Sequence, residues 1–549
     1  MNKVLDNPFY YLDNFQRVLD WIGERYRDLL SGDELAFLAT FAALPQPSQA
    51  LFVRMVMRKG TLFRASKLNY AEIGCPLEAA RHLLPTGWIE SDPVLSIDAL
   101  FELLSKPEIG SLFALSPHAQ GARKAEQLAA LRGGFRDARR FSAWHRGCTD
   151  QVFHILVKPL CDRLRLIFFG NFRQDWTEFV LSDLGVYRYE QVEFSPASRG
   201  FRTRRDIEHY LELHQCKERF RASAAPDDVL RELPQAPFEN DWLNSRRERL
   251  LYRIAQQYEK HKDWAKAYTL YARCGFPGAR GRAIRVLEKD KQYALAYQLL
   301  LAAQRAPESE AERQQLLRVS PRLTRRLGRP TTRAPRPPVV ATLALRLAQP
   351  AAPWSVEAVV RDHLARPDAP VFYVENALVN ALFGLLCWRA IFSAIPGAFF
   401  HPFHRGPADL YSPDFCQRRA PEFGACLAEL DSDAYLATIR ANFSAKAGIQ
   451  SPFVDWDIVG ADLLELALAC IPPAHLKRLF ERILLDVQAN RSGFPDLIQF
   501  WPAERRYTMI EVKGPGDRLQ DNQLRWIDYC AVHQMPVAVC YLQWREPAA

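Results

Sequence analysis

Two apolar runs near the C-terminus, "GFPDLIQFW" and "YTMIEVKG", are separated by the short polar stretch "PAERR". Runs of this length and composition, with a polar turn between them, read as two adjacent strands. The charged residues inside them restrict the fold most. Asp496 opens the first run, and Glu511 and Lys513 bracket Val512 in the second. A charge in a core strand costs stability unless something pairs with it. Side chains alternate along a strand, so Glu511 and Lys513 share one face while Val512 enters the core on the other. A hairpin brings Asp496 beside Glu511. Two carboxylates that close repel and raise each other's pKa. A divalent cation relieves the repulsion, and hard oxygen ligands suit Mg²⁺ or Mn²⁺.

A third acid stands upstream in "VFYVENALVNALFGLLCWRAIF". This stretch reads as one long apolar helix, with Glu375 in line with Leu378, Val379, Leu382 and Leu386 on the buried face. A glutamate there is expensive unless it coordinates something, which makes Glu375 a natural third ligand. The order is that of the PD-(D/E)xK nuclease core: a helix carrying Glu, then Pro-Asp, then Glu-x-Lys. In such a core bound metal ions activate a water and neutralise the scissile phosphate. Lys513 is assigned to orienting that water and stabilising developing negative charge. After a Gly-Pro-Gly turn, "DRLQDNQLRWIDYCAVH" forms an amphipathic helix whose Gln523 can bond a metal-bound water or a phosphate. Arg491, just before the Pro-Asp, can hold a neighbouring phosphate.

The rest of the chain is expected to be mostly helical. Residues 1–120 form an N-terminal helical region of winged-helix or SAP-like rhythm. In "SQALFVRMVMRKGTLFRASKL", Arg54, Arg58, Lys59 and Lys67 lie opposite an apolar face. They either track a phosphate backbone or form a solvated basic face. A connecting helical region covers 121–239; within it "RLRLIFFGNF" is a strand or a buried helix. At 240–320, "DWAKAYTLYARC" and "QYALAYQLLLAA" place Ala267 and Ala296 nearly one tetratricopeptide period apart. Between them Arg280, Arg282 and Arg285 cluster near a helix start. They are candidates to hold a terminal phosphate through charge and backbone N–H groups. An Arg/Pro-rich linker is expected over 321–345, and an α/β nuclease domain over 346–549.

The 549 residues allow roughly three or four domains of about 150 residues each. The net charge of +9 favours an anionic partner. Asp6 and Asp13 break any signal-peptide core, and no apolar run reaches the roughly 18 residues of a membrane span. The 11 cysteines contain no C-x-x-C pair, so neither a zinc ribbon nor a disulfide scaffold is expected. His401 and His404 in "HPFH" are half of a metal site or two loop histidines. The chain reads as intracellular.

"GFPDLIQFW…MIEVKGPGDRLQDNQLRWI" resembles a virus-type replication–repair nuclease (VRR-NUC) domain. Together with "YYLDNFQRVL", "LFVRMVMRKG…KLNY" and "ENALVNALFGLLCWRAIF" it resembles the Fanconi-associated nuclease family in a bacterial-type version, strongest at the two ends of the chain. The resemblance implies a SAP-containing DNA-binding region, a tetratricopeptide-like region and a C-terminal nuclease. It also implies 5′-flap endonuclease and 5′→3′ exonuclease activity on branched or flapped duplex DNA in interstrand cross-link repair, in the bacterial cytoplasm and nucleoid. Metal ligands would be Glu375, Asp496, Glu511 and the Val512 carbonyl, with Lys513 as the catalytic lysine. No ubiquitin-binding module is expected. Two alternatives stay open: a nuclease of the same core acting on Holliday junctions or other branched DNA, and a helical DNA-binding scaffold with an inactive nuclease domain.

Overall fold

The computed structural model describes residues 7–176, 178–179, 187–330, 339–351 and 354–545. The chain divides into two compact units, Met1–Tyr187 with Phe201–Arg204, and Arg188–Gly200 with Arg205–Ala549.

In the first unit the helices Tyr10–Arg25, Gly32–Ala43 and Gln46–Met57 surround an aromatic core of Phe15, Phe37, Phe41, Phe52 and Trp88. Ser31 caps the second helix in a reciprocal capping box with Glu34. The fully buried Glu34 carboxylate is neutralised by Arg163 and Arg204, at 2.9 and 2.5 Å. Strands β1 (Leu62–Arg64) and β2 (Ile89–Ser91) are short. So are β3 (Val94–Leu95), β4 (Arg139–Arg140) and β5 (Val152–Ile155). β1, β5 and β2 form an antiparallel sheet in that order, so three helices carry a small wing. The "RLRLIFFGNF" ambiguity resolves as the helix Lys158–Phe169, ended by Gly170 in the left-handed conformation. Short helices from Ile97 to Arg132 enclose a separate apolar core with Trp144.

The second unit begins its regular repeats at Asp241–Lys260. Trp264–Ala272, Ala279–Lys289, Tyr293–Arg305 and Glu310–Arg326 follow. Ala267 and Ala296 are both fully buried, and their lack of bulk lets successive helices pack closely. The linker expected from residue 321 begins later than its composition indicates. Helix Glu310–Arg326 runs through Pro321 because Leu316, Val319 and Leu323 bury a continuous apolar face. Residues 331–338 lie outside the described residues. Beyond them β6 (Ala341–Leu347) already belongs to the nuclease sheet, with β7 (Val371–Tyr373), β8 (Leu497–Trp501), β9 (Arg506–Lys513) and β10 (Val537–Trp544).

The sheet order is β6-β10-β9-β8-β7, with β10 parallel to β6 and β9 and the β7, β8 and β9 pairings antiparallel. Parallel strands need a crossover, and helix Asp521–Val532 supplies it between β9 and β10. Its Trp526, Ile527 and Cys530 join the large core that contains Tyr507 and Met509. Ile510 and Val512 face the other way, into a smaller core with Val360.

Candidate active site

The β8–β9 ladder begins at the pair Leu497↔Ile510 and runs away from the site, so residues 511–513 extend past the start of β8. Asp496 fills the missing pairing: the Val512 N–H donates to its Oδ2 at 2.8 Å. In an extended strand the N–H and C=O of one residue point to the same edge, so the Val512 carbonyl also faces the Asp496 side. Glu511 and Lys513 share the face that carries Tyr507 and Met509, as a period of two requires.

Lys513 Nζ stands 2.8 Å from Glu511 Oε1. Glu511 is fully buried and Asp496 and Lys513 nearly so, at 6% and 7% exposure. Among the described residues Glu511 Oε2 accepts no hydrogen bond, and Lys513 is the partner of Oε1. Burial is the main force that pushes Glu511 up to about 7, the Asp496 charge adds to it, and Lys513 opposes both. Asp496 is pushed up to about 6, again chiefly by burial, against the Val512 N–H and with the Glu375 charge.

Glu375 departs from the position its apolar flanks predict. It is not on a buried helix face but on an exposed turn between β7 and helix Leu378–Leu386, which starts three residues later. The break is Asn376, whose φ of 53° no α-helix accommodates. Its side chain compensates: Oδ1 accepts from the N–H groups of Gly493 and Phe494, at 2.8 and 3.2 Å. That contact ties the Glu375 turn to the loop leading into Asp496. The Glu375 carboxylate itself accepts from the Tyr373 hydroxyl at 2.5 Å and from Asn376 Nδ2 at 3.2 Å. Its charge reaches both Asp496 and Glu511.

Three further residues of this site were not singled out from sequence: Tyr373, Asn376 and Glu357. Glu357 opens the helix Val356–Leu364, and its charge also acts on Asp496 and Tyr373. The Ser355 cap in "WSVEAVV" was the available signal for a helix start there. Among the described residues no three His, Cys, Asp or Glu side chains already stand at ligand distance from one point. What fits a cation is the chemistry of the pair: buried carboxylates, one with an oxygen that accepts no hydrogen bond among the described residues, facing a backbone carbonyl and a third acid at the rim.

The other predicted residues separate into engaged and exposed. Gln523 sits in the first turn of its helix, where its Oε1 accepts from the Gln520 N–H at 2.8 Å and caps the helix. Arg491 donates to the Tyr411 hydroxyl and the Pro452 carbonyl at 2.5 and 2.6 Å, bracing the loop before Gly493. Arg54 pairs with Glu72 at 2.7 Å and lies 3.7 Å over the Tyr11 ring. Arg58, Lys59 and Lys67 are exposed past the end of that helix. Arg280 makes a two-pronged contact with Glu312, while Arg282 and Arg285 share Glu259 at 3.0 and 3.2 Å. A terminal phosphate would compete with carboxylates for all three. His401 and His404 are loop histidines: each accepts a backbone N–H nearby, from Phe403 and Phe400. Burial holds both well below the usual imidazole range.

Residues 9–90 match the FAN1 HTH domain, 94–144 the Fanconi anemia-associated nuclease SAP domain, and 431–544 the VRR-NUC domain. The chain is 54% identical to a Fanconi-associated nuclease 1 homolog of Pseudomonas aeruginosa, over 99% of this chain and 97% of that protein. A homolog of Oryza sativa is 24% identical over 96% of this chain, which spans 62% of the plant protein. The fold superposes on a crystal structure of paFAN1 bound to 2-nt 5′-flap DNA with a gap. The TM-score is 0.93 and the identity 53%, covering 100% of both chains. The chain therefore belongs to the Fanconi-associated nuclease 1 family and is a DNA nuclease with a C-terminal VRR-NUC domain.

Proposed function

We infer that the protein hydrolyses phosphodiester bonds at 5′ flaps in branched duplex DNA, with 5′→3′ trimming, in interstrand cross-link repair in the bacterial cytoplasm. The observation that carries the chemistry is the buried Asp496–Glu511 pair, with Lys513 on Glu511 Oε1 and no hydrogen bond to Oε2 among the described residues. Mg²⁺ or Mn²⁺ held by Glu375, Asp496, Glu511 and the Val512 carbonyl would supply Lewis-acid charge at the scissile phosphate. Tyr373 and Asn376 hold the Glu375 carboxylate at the rim. Lys513, beside Glu511, orients the attacking water and stabilises charge that builds on the phosphate oxygens. Arg58, Lys59 and Lys67 contact the DNA backbone, whereas Arg54, Arg280, Arg282 and Arg491 serve the fold.

The preference for a 5′ flap rests on the flap-bound relative. End-labelled 5′ flaps, 3′ flaps and four-way junctions with Mg²⁺ or Mn²⁺ test it. The 5′ flap should be cut a few nucleotides from the junction and the others poorly. Asp496→Ala should abolish cleavage and leave DNA binding in place. Equal cutting of 3′ and 5′ flaps overturns the polarity, a preferred four-way junction favours the Holliday-junction alternative, and an active Asp496→Ala overturns the site.

A further inference from the structure

Helices Ala279–Lys289 and Glu310–Arg326 border an open cavity of about 490 Å³. Two rows of cations line it. Arg318, Arg322 and Arg326 follow one another at four-residue spacing on one helix, and Arg285 and Lys289 do so on the other. Four residues of α-helix rise about 6 Å, so the longer row extends about 12 Å. Glu288 is the acid in the lining, and it is taken up by Arg322, whose guanidinium grips both of its oxygens at 2.9 Å. Arg326 lies 5.8 Å over the ring of Tyr293, which also lines the cavity.

Like charges four apart on one helix destabilise it, and rows facing each other across a cleft repel further. Three of the five are held by acids, Arg285 by Glu259, Arg318 by Asp521 and Arg322 by Glu288, and their charge is only partly offset. About half of each of the Arg285, Arg318 and Arg322 side chains remains exposed, at 56, 49 and 54%. Arg318 also pairs with Asp521, the first residue of the helix that follows the catalytic strand, so the cleft adjoins the nuclease domain within the same compact unit.

We propose that this cleft binds the phosphodiester backbone of the DNA substrate at a point remote from the scissile bond. The proposal rests on the nuclease reading above and adds a second anchoring site to it. A compact anion would satisfy one or two of these cations; a linear polyanion with regular charge spacing satisfies both rows. Release of counterions from the cleft would then make it a main source of salt-dependent affinity.

The test is Lys289→Gln combined with Arg326→Gln, two positions outside the catalytic centre. Fluorescent 5′-flap duplex is titrated in EDTA, so that nothing is cut, at several salt concentrations. The double variant should flatten the slope of log affinity against log salt by about 1.5 to 2 units. It should bind several-fold more weakly at about 0.1 M salt and keep the wild-type melting temperature. Lys289→Arg with Arg326→Lys should restore the slope. An unchanged slope in the Gln variant overturns the proposal. So does a result in which the Gln variant loses thermal stabilisation by tripolyphosphate but keeps the DNA slope, which would make the cleft a site for a soluble anion. A wild-type protein that fails to cut flaps in Mn²⁺ refutes the nuclease reading instead, and leaves the binding slopes to decide the cleft.

Discussion

Replacing Glu511 by Gln should make the metal-free protein more stable while destroying its cleavage activity. The buried carboxylate is pushed up to about 7, mainly by burial and then by the Asp496 charge. From the ordinary glutamate range to about 7 the folded state keeps a proton that the unfolded chain releases. Metal-free stability must therefore fall as pH rises through that window and level off above it. The full shift corresponds to at most about 3.4 kcal/mol. Asp496 shares the effect and solvent screens part of it, so about 1.5 kcal/mol is expected at pH 8. For a unit of this size that is a rise of roughly 2 °C in Tm. The assay is a thermal melt in EDTA from pH 5 to pH 9, with wild type and Glu511→Gln side by side. The wild-type Tm should drop between about pH 5 and 7.5, the variant should drop less, and the two should converge at acid pH. Mn²⁺ competes with protons for the site, so it should raise the wild-type Tm far more at pH 8 than at pH 5.5 and hardly move the variant. Equal EDTA melting curves for the two proteins at pH 8 would refute the view that burial of the Glu511 charge costs more than Lys513 returns.

Gly493→Ala should cost at least about 2 kcal/mol, because φ is +93° and the added methyl would meet the Asn522 backbone at 2.7 Å. Urea unfolding would read the loss, and a fall of tenfold or more in kcat would read the displaced Asp496 loop. Arg280→Ala should leave the salt dependence of DNA binding unchanged, since its guanidinium is committed to Glu312, while the Arg58/Lys59/Lys67 triple Ala variant should flatten the slope by about two units or more. Arg419 is fully buried and doubly bonded to Asp409 at 2.8 and 2.9 Å, so Arg419→Ala should destabilise the second unit by about 3 kcal/mol in thermal melts, with Arg418 limiting the loss.

The convergence of Asp496, Glu511 and Lys513 was legible from sequence because it depends on local rules. Period-two alternation and a short turn place these side chains, and burial of charge in an apolar run marks them. Glu375 was legible as a residue but not in its setting. Its apolar flanks satisfy a helical pattern, and only the tertiary contact of Asn376 with Gly493 and Phe494 stabilises the left-handed turn that delays the helix. The arginines show the sharpest contrast. Arg280 meets Glu312 32 residues away, and Arg54 meets Glu72 18 away. No periodicity within a helix encodes those pairings. By itself the sequence determined which residues carry charge and on which helix or strand face they stand. The tertiary structure decided which charges are neutralised inside the fold and which are left facing solvent, because that depends on acids brought close by packing between distant segments.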